Sequence, residues 1–353
     1  MDKISVIIPC YNVASTINKC LDSVISQTYG IDNLEIICVN DASTDGTFDI
    51  LCEYESNYSN SFLIINNEQN TKQGYARNLA IQYSTGEYIL FIDSDDYVDN
   101  TLIEKLYSQM SKSDYDYVSC NYLRVNEGIP YVIDDSGAHE YTISDREQEL
   151  SATAEEYLID TDELRKSFIL NEGSTGGCWA TLYRRSFICN NELFFAEGIV
   201  YEDLLWLGMV RFYANHVSII PDRLYYYVNY NDSSVVVKQN SPHHFDRLNA
   251  MKMYLNECRQ RELDKLYKAE IEFHFIWIYY VNSLTLFARR FTVVSESILN
   301  DMCRTIINEI PDYKENPHIL KCEGISASLL SLIEKAPITQ AGWNEIMNVL
   351  RDI

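Results

Sequence analysis

The first 120 residues alternate short apolar, β-branched runs with segments of helical periodicity, and few folds accommodate that alternation. The apolar runs are residues 4–8 (ISVII, stopped by Pro9), 34–39 (LEIICV), 62–65, 88–92 (YILFI) and 115–120. Between them, residues 15–29, 44–58, 74–83 and 102–110 place apolar side chains at helical spacing. Each run is too short and too apolar for a half-exposed strand and suits a strand buried on both faces. The pattern predicts βαβ units, a mostly parallel sheet and helices on both of its faces. In such sheets ligands bind at the carboxyl ends of the strands, so chemistry is expected in the turns that follow each run.

Beyond this region the pattern changes. Residues 122–163 are polar and acidic and read as an insertion, a hairpin plus loop. A Gly/Ser/Thr-rich loop at 173–177 leads into a strand-like run at 178–183, an apolar helix at 202–213, and two short strands, 217–220 and 224–228, around Pro221. From residue 242 on, four helices are expected, at 243–261, 263–290, 294–310 and 326–350. The expected division is an α/β domain over 1–235 and a C-terminal helical domain over 236–353. In the latter, Phe273, Trp277, Tyr280 and Leu284 recur at helical spacing, as in a core or an interface between copies of the chain.

Composition limits the partners. Asp and Glu number 52 against 28 Lys and Arg, a formal net charge of −24, which disfavours nucleic acid and anionic lipid. The tail has no Lys/Arg-rich helical face, so peripheral membrane contact has no support there. No apolar run reaches the ~18 residues that span a bilayer, and the N-terminus does not read as a secretory signal. The ten cysteines are irregularly spaced, with no CxxC pair. They read as reduced thiols of a cytoplasmic protein, not as a zinc site or a disulfide framework.

Three predicted strand ends carry polar clusters: Pro9-Cys10-Tyr11-Asn12, residues 40–46 (NDASTDG) and Asp93-Ser94-Asp95-Asp96. Carboxylates two residues apart on a turn can share a divalent cation, or the turn can simply lead into the next helix. Asp41 can accept the N3–H of a uracil, or Asp41, Ser43 and Thr44 can cap the helix that follows. Tyr11 either stacks on a base or packs. Trp179 and Trp206 offer faces to a sugar or fill the core. His243-His244 is a metal ligand pair or a solvated helix start.

The blocks VIIPCYN, SVISQTY, VNDASTDGT, GYARNLA and GEYILFIDSDDYV occur in the order and at the spacing of glycosyltransferase family 2, which residues 4–98 closely resemble. WATLYRRSF and VYEDLLW extend the resemblance to about residue 228, toward bacterial polysaccharide-type members. It implies a GT-A fold and inverting, metal-dependent transfer of a hexosyl or N-acetylhexosaminyl group from a UDP-sugar. The implied acceptor is a hydroxyl of a cell-surface glycan, a lipid-linked glycan at the inner face of the membrane, or a teichoic-acid-type polymer. By the same resemblance, Pro9, Tyr11 and Asn12 line the nucleoside pocket and Asp41 meets the uracil. Arg77 lies near base and phosphates, Asp93 on the ribose side, and Asp95 binds Mn²⁺ or Mg²⁺. Asp203 is the general base, with Glu202, Trp179 and Trp206 as candidate sugar contacts. Tyr225-Tyr226-Tyr227 with Tyr230, ending near residues 231–234, match a polar and aromatic stretch that closes over the donor phosphates. Ala42 stands where the family commonly has glycine, a neutral change, and Lys72 stands where the loop Asn70-Thr71-Lys72 commonly has glycine, so that loop changes its backbone or Lys72 reaches a phosphate, unless Lys72 is simply a solvated loop charge. The alternatives are a nucleotidyltransferase, which would want a Gly-rich basic loop after the first strand, and a non-catalytic homologue that binds nucleotide-sugar.

Overall fold

The computed structural model describes all residues except 127, 135–136, 141–148, 150–151, 171–176, 229–236 and 352–353. The chain forms two compact units. The first comprises Met1–Thr161, Gly173–Gly198 and Val210–Tyr230, and the second Asp162–Glu172, Ile199–Met209 and Asn231–Ile353. The last stretch of the second unit begins at Asn231, and two earlier stretches join it.

In chain order the elements are β1 (Ile4–Cys10), α1 (Ile17–Ile25), β2 (Leu34–Asn40), α2 (Thr47–Asn57), β3 (Phe62–Asn66), α3 (Lys72–Tyr83), β4 (Tyr88–Phe91), β5 (Tyr97–Val98) and α4 (Leu102–Met110). Then come β6 (Tyr117–Asn126), β7 (Ile129–Asp134), β8 (Gly137–Glu140), β9 (Glu155–Leu158), α5 (Asp162–Leu170), β10 (Thr181–Arg184), α6 (Arg185–Asn190), α7 (Asp203–Tyr213) and β11 (His216–Val228). The strands form one sheet in the order β3-β2-β1-β4-β10-β6-β11-β5. Its first four strands are parallel, β10 runs antiparallel to both neighbours, and β11 is parallel to β6. The hairpin expected within 122–163 is β7–β8, which extends the sheet from the far half of β6.

β1, β2 and β4 are buried on both faces, as their sequences require. Ile4, Val6, Ile8, Ile36, Leu90 and Ile92 face α1 and α4 through Leu21, Val24, Leu102 and Leu106. On the other face α3 packs Ala76 and Ala80 against β1 and β2. Gly86, just before β4, touches β1 so closely that a Cβ there would lie 2.7 Å from the backbone nitrogen of Ser5.

Three expectations are corrected. First, β1 does not stop at Pro9 but runs to Cys10. Along β1, Ile7 presents its carbonyl to Ile92 on the β4 side, and Cys10 presents its carbonyl to Asp41 on the β2 side. Pro9 points to the same side as Ile7, and β4 has ended by then, so the missing N–H leaves no gap in the ladder. Second, 217–220 and 224–228 are one strand, with Pro221 absorbed in a bulge between Ile220 and Arg223. Third, 326–350 is not one helix. It divides around Pro337, which disfavours helix at the residue before it.

The second unit is helical. Besides α5 and the start of α7 it contains α8 (Asp246–Gln260), α9 (Asp264–Ile276), α10 (Ser283–Arg290), α11 (Glu296–Glu309), α12 (Gly324–Leu332) and α13 (Gln340–Arg351). A π-helical segment, Trp277–Asn282, joins α9 to α10. Tyr280 and Leu284 of the expected apolar stripe are fully buried core, while Phe273 and Trp277 are half-buried and stacked on each other at 5.5 Å. In α7, Gly208 lies against the ring of Tyr254 on α8, where a Cβ would approach to 2.7 Å. Among the described residues no helix is long and apolar enough to cross a membrane.

Glu35 fastens the near edge of the sheet. Its carboxylate accepts from Ser5 Oγ (2.5 Å), Thr85 N (2.8 Å), Thr85 Oγ1 (2.6 Å) and Lys3 Nζ (3.1 Å). Burial works against its charge, but these donors outweigh burial and hold the group down at about 2. A lowered carboxyl contributes stability above its unfolded value of about 4.3 and loses it as pH falls toward 2. Urea denaturation across that range should therefore show the advantage of wild type over Glu35→Gln constant near neutrality and shrinking steadily on acidification.

Candidate active site

The carboxyl ends of β1 and β2 are stitched together. Asn12 (φ 51°) donates its N–H to Ser43 Oγ at 3.0 Å and accepts from Thr44 N at 2.8 Å through Oδ1. Between these ties Tyr11 is 46% exposed, with its ring presented to solvent. The start of α2 is held by neither Ser43 nor Thr44. Asp45 accepts from the N–H and hydroxyl of Thr47, and from Ala14 N.

Asp41 is a cap, but of a different helix from the one expected. Its Oδ1 accepts from Asn67 Nδ2 (2.9 Å), Thr71 N (2.9 Å) and Thr71 Oγ1 (2.7 Å), and its Oδ2 from Thr71 N (2.9 Å) and Lys72 N (2.8 Å). These four donors, at the start of α3, match the four lone-pair positions of a carboxylate, and Asp41 is 3% exposed. Both departures from glycine sit in the left-handed region, Ala42 at φ 58° and Lys72 at φ 73°. Such positions cost an L-residue about 1–2 kcal/mol. The loop thus holds at Lys72 a conformation that glycine favours, its N–H fixed by Asp41.

The acidic turn after β4 is the electrostatic centre of the first unit. Arg77, on α3 and 1% exposed, donates to Asp93 Oδ1 at 2.6 Å and lies 5.2 Å over the ring of Phe195. Burial, and then the neighbouring Asp93, push the Asp95 carboxyl up to about 6. Asp96 is buried deeper and is raised well above the carboxylate range by burial and by Asp95 and Asp93. Two donors from β11 hold it: Tyr225 Oη to Oδ2 and Val228 N to Oδ1, both at 2.8 Å. The same Tyr225 oxygen accepts from Asp93 N at 3.1 Å. From the sequence, Asp96 has no role beyond its place in the acidic turn, and Tyr225 only a place in the stretch expected to close over the donor phosphates. The signals available were the fourth residue of the acidic turn and the alternation in Tyr225-Tyr226-Tyr227.

A divalent cation fits this turn by donor chemistry. Asp95 is a hard oxygen donor held back from ionising by burial and a like charge, and a cation would relieve both. Among the described residues no three His, Cys, Asp or Glu side chains converge as a complete cage. The remaining positions of such an ion would fall to solvent and ligand oxygens.

The structure brings Pro9, Tyr11, Asn12, Asp41, Arg77, Asp93 and Asp95 to one edge of the sheet in the first unit. Glu202, Asp203 and Trp206 belong to the second. There Asp203 is the first residue of α7 and half-buried, and Glu202 is buried. Two sugar-contact expectations are corrected. Trp206 is 0% exposed and presents no face to a ligand. Trp179 is core as well, stacked on Tyr225 (4.6 Å) and Tyr227 (5.6 Å) and edge-on to Tyr122. His244 is fully buried with both ring nitrogens engaged in the protein, so it is no metal ligand. Residues 231–234 lie outside the described residues.

Tyr225→Phe removes one donor from Asp96 and the acceptor of the Asp93 N–H. It should lower stability by about 1–3 kcal/mol in urea denaturation, as leaving buried polar groups unpaired does.

The family model of Glycosyl transferase family 2 matches residues 5–188, just over half of the chain. The chain is 32% identical over 233 residues to an uncharacterized glycosyltransferase, YibD, of Escherichia coli, covering 66% of this chain and 63% of that protein. It is 28% identical over 272 residues to the poly(ribitol-phosphate) beta-glucosyltransferase of Bacillus spizizenii, covering 76% of this chain but 39% of that one. The alignments thus span less than two thirds of these relatives' own lengths. The crystal structure of S. aureus TarS 1-349 in complex with UDP-GlcNAc superposes with a TM-score of 0.67 at 21% identity, over 99% of this chain and 90% of that one. The fold is therefore GT-A, as the resemblance implies. The chain belongs to glycosyl transferase family 2.

Proposed function

We propose that this chain is an inverting glycosyltransferase. It moves a hexosyl or N-acetylhexosaminyl group from a UDP-sugar to a hydroxyl of a cell-surface glycan, a lipid-linked glycan or a teichoic-acid-type polymer, at the cytoplasmic side of the membrane. The observation that carries this reading is the acidic turn after β4, where Arg77 grips Asp93 while Asp95 is held near pKa 6. A carboxylate whose charge is opposed by burial and by a like neighbour suits a group that takes up a cation together with the donor. The B. spizizenii relative, named for glucosyl transfer to poly(ribitol phosphate), supports the acceptor class. The TarS complex with UDP-GlcNAc supports the donor class.

In this reading the exposed ring of Tyr11 stacks on the base, with Pro9 and Asn12 beside it. The uracil N3–H displaces one of the two donors on Asp41 Oδ2, the less heavily loaded of its two oxygens. Asp93, its charge offset by Arg77, faces the ribose. A divalent cation at Asp95, Mn²⁺ or Mg²⁺, supplies neutralisation of the diphosphate leaving group when bound. Asp203 takes the proton from the acceptor hydroxyl as that oxygen attacks the anomeric carbon from the face opposite the departing UDP. Glu202 adds negative charge beside the base, and the two together suit an acidic first turn on α7.

Calorimetric titration with UDP, GDP and CDP, in Mn²⁺ and in EDTA, tests the donor half. UDP should bind only with the metal, and Asp95→Ala should abolish binding. Nucleotide binding by wild type that is indifferent to metal would refute the role of Asp95, and no binding of any nucleotide would refute the donor site. Asp203→Asn should keep UDP affinity and lose turnover by about 100-fold or more, on the scale of general-base catalysis. Full turnover in that variant would remove Asp203 from the mechanism.

A further inference from the structure

The stretch of chain that delivers Glu202 and Asp203 to the start of α7 is held by a single corner of the second unit. Tyr201, immediately before them, sits at φ 66°, a conformation an L-residue keeps only when its surroundings impose it. Four contacts impose it. Val200 N donates to Asp246 Oδ2 at 3.1 Å. The Tyr201 hydroxyl lies 2.8 Å from His244 Nδ1. The guanidinium of Arg247 lies 5.2 Å over the Tyr201 ring. The N–H of Leu204 returns to the Tyr201 carbonyl at 3.2 Å, closing a turn around Glu202 and Asp203.

The chemistry of His244 gives the contact a direction. Its Nε2 lies 2.8 Å from the backbone carbonyl of Lys238, which can only accept, so Nε2 carries the proton. In a neutral ring Nδ1 is then the acceptor, and the Tyr201 hydroxyl donates to it. Burial favours that neutral ring and outweighs the Lys238 carbonyl, which favours the charged form, and the guanidinium groups of Arg290 and Arg247 add to burial. The side chain is fully buried, edge-on to Phe291 at 5.7 Å, so neither bond has water as a substitute.

We propose that Tyr201 and His244 are positioning residues for Asp203. The neutral, Nε2-protonated His244 anchors the Tyr201 hydroxyl, the anchored Tyr201 fixes the left-handed reversal, and the reversal sets where the Asp203 carboxylate stands at the first turn of α7. This rests on the reading of Asp203 as the general base, and the experiment separates the two.

The variants are Tyr201→Phe, His244→Asn, His244→Leu, Asp203→Asn and the double variant of Tyr201 and Asp203. UDP release into water is measured with Mn²⁺ and whichever of UDP-glucose, UDP-galactose, UDP-GlcNAc and UDP-GalNAc wild type hydrolyses fastest. Tyr201→Phe should lower kcat by about tenfold or more while leaving the KM for donor unchanged, since sub-ångström misplacement of a reacting group costs rate before binding. In the Asp203→Asn background the same change should cost nothing further. A fall of equal size in both backgrounds, or none in either, overturns the inference. Wild-type turnover in Asp203→Asn alone overturns the general-base reading instead. His244→Asn places an acceptor where Nδ1 stands and should retain more activity than His244→Leu; equal loss in the two speaks against the hydroxyl contact. Amide hydrogen exchange reads the same inference without turnover. Protection over residues 199–204 should fall in Tyr201→Phe and hold in Asp203→Asn, with α8 unchanged in both, and unaltered protection in Tyr201→Phe would overturn it.

Discussion

Carboxylates crowded on one short turn repel each other, and much of the first unit can be understood as the means of keeping Asp93, Asp95 and Asp96 where they are. Each is held differently. Asp93 is paired with a guanidinium almost wholly out of water. Asp96 is sunk into the protein under a tyrosine hydroxyl and a backbone N–H of β11. Asp95 has neither device, and burial pushes it toward its neutral form. Removing the charge from two of three neighbours by pairing or burial leaves the third as the place where an added cation is most strongly favoured. The arrangement needs α3 to supply Arg77 and β11 to supply Tyr225, elements that lie far apart in sequence.

The same logic joins the loops. Asp41 spends its acceptor capacity on the start of α3, and α3 carries Arg77 one and a half turns later. The residue that meets the base in our reading is therefore also the one that fixes the helix gripping the acidic turn. Asn12, Ala42 and Lys72 all hold left-handed backbone at these strand ends. Strain of this kind collects where loops must bring donors and acceptors to one place.

Much of the parallel half was legible because its signals are local. Apolar β-branched runs of the right length fix β1 to β4, and the acidic turn announces itself by composition. The failures have a common physical cause: the deciding partner is remote in sequence. Pro9 looks like a strand end until one knows that β4 has already stopped beside it. Pro221 looks like a break until a bulge against Asn121 accepts it. Asp41 reads as the cap of the helix after it, yet its donors are Asn67, Thr71 and Lys72. Trp206 looks like a sugar platform because aromatic residues often are, and only packing reveals that none of its ring is exposed. The resemblance to family 2 supplied candidate roles for Asp93, Asp95 and Asp203, which periodicity alone does not assign.

The position of β10 has a consequence for how the chain folds as it is made. The sheet places residues 181–184 between β4 and β6, antiparallel to both, although they follow β6 by more than fifty residues. The N-terminal parallel half can pair as it emerges, because its four strands all lie within the first 91 residues. β6 has no place beside β4 until the later strand arrives between them. Until then β4 presents an unpaired hydrogen-bonding edge of apolar residues, the kind of edge that recruits other chains. Pairings over such sequence separations form slowly, and those of β11 with β6 and β5 follow later still. A ribosome-bound fragment that ends before residue 184 is thus a half-sheet with an open seam, and the hazard of aggregation is greatest in that interval of synthesis.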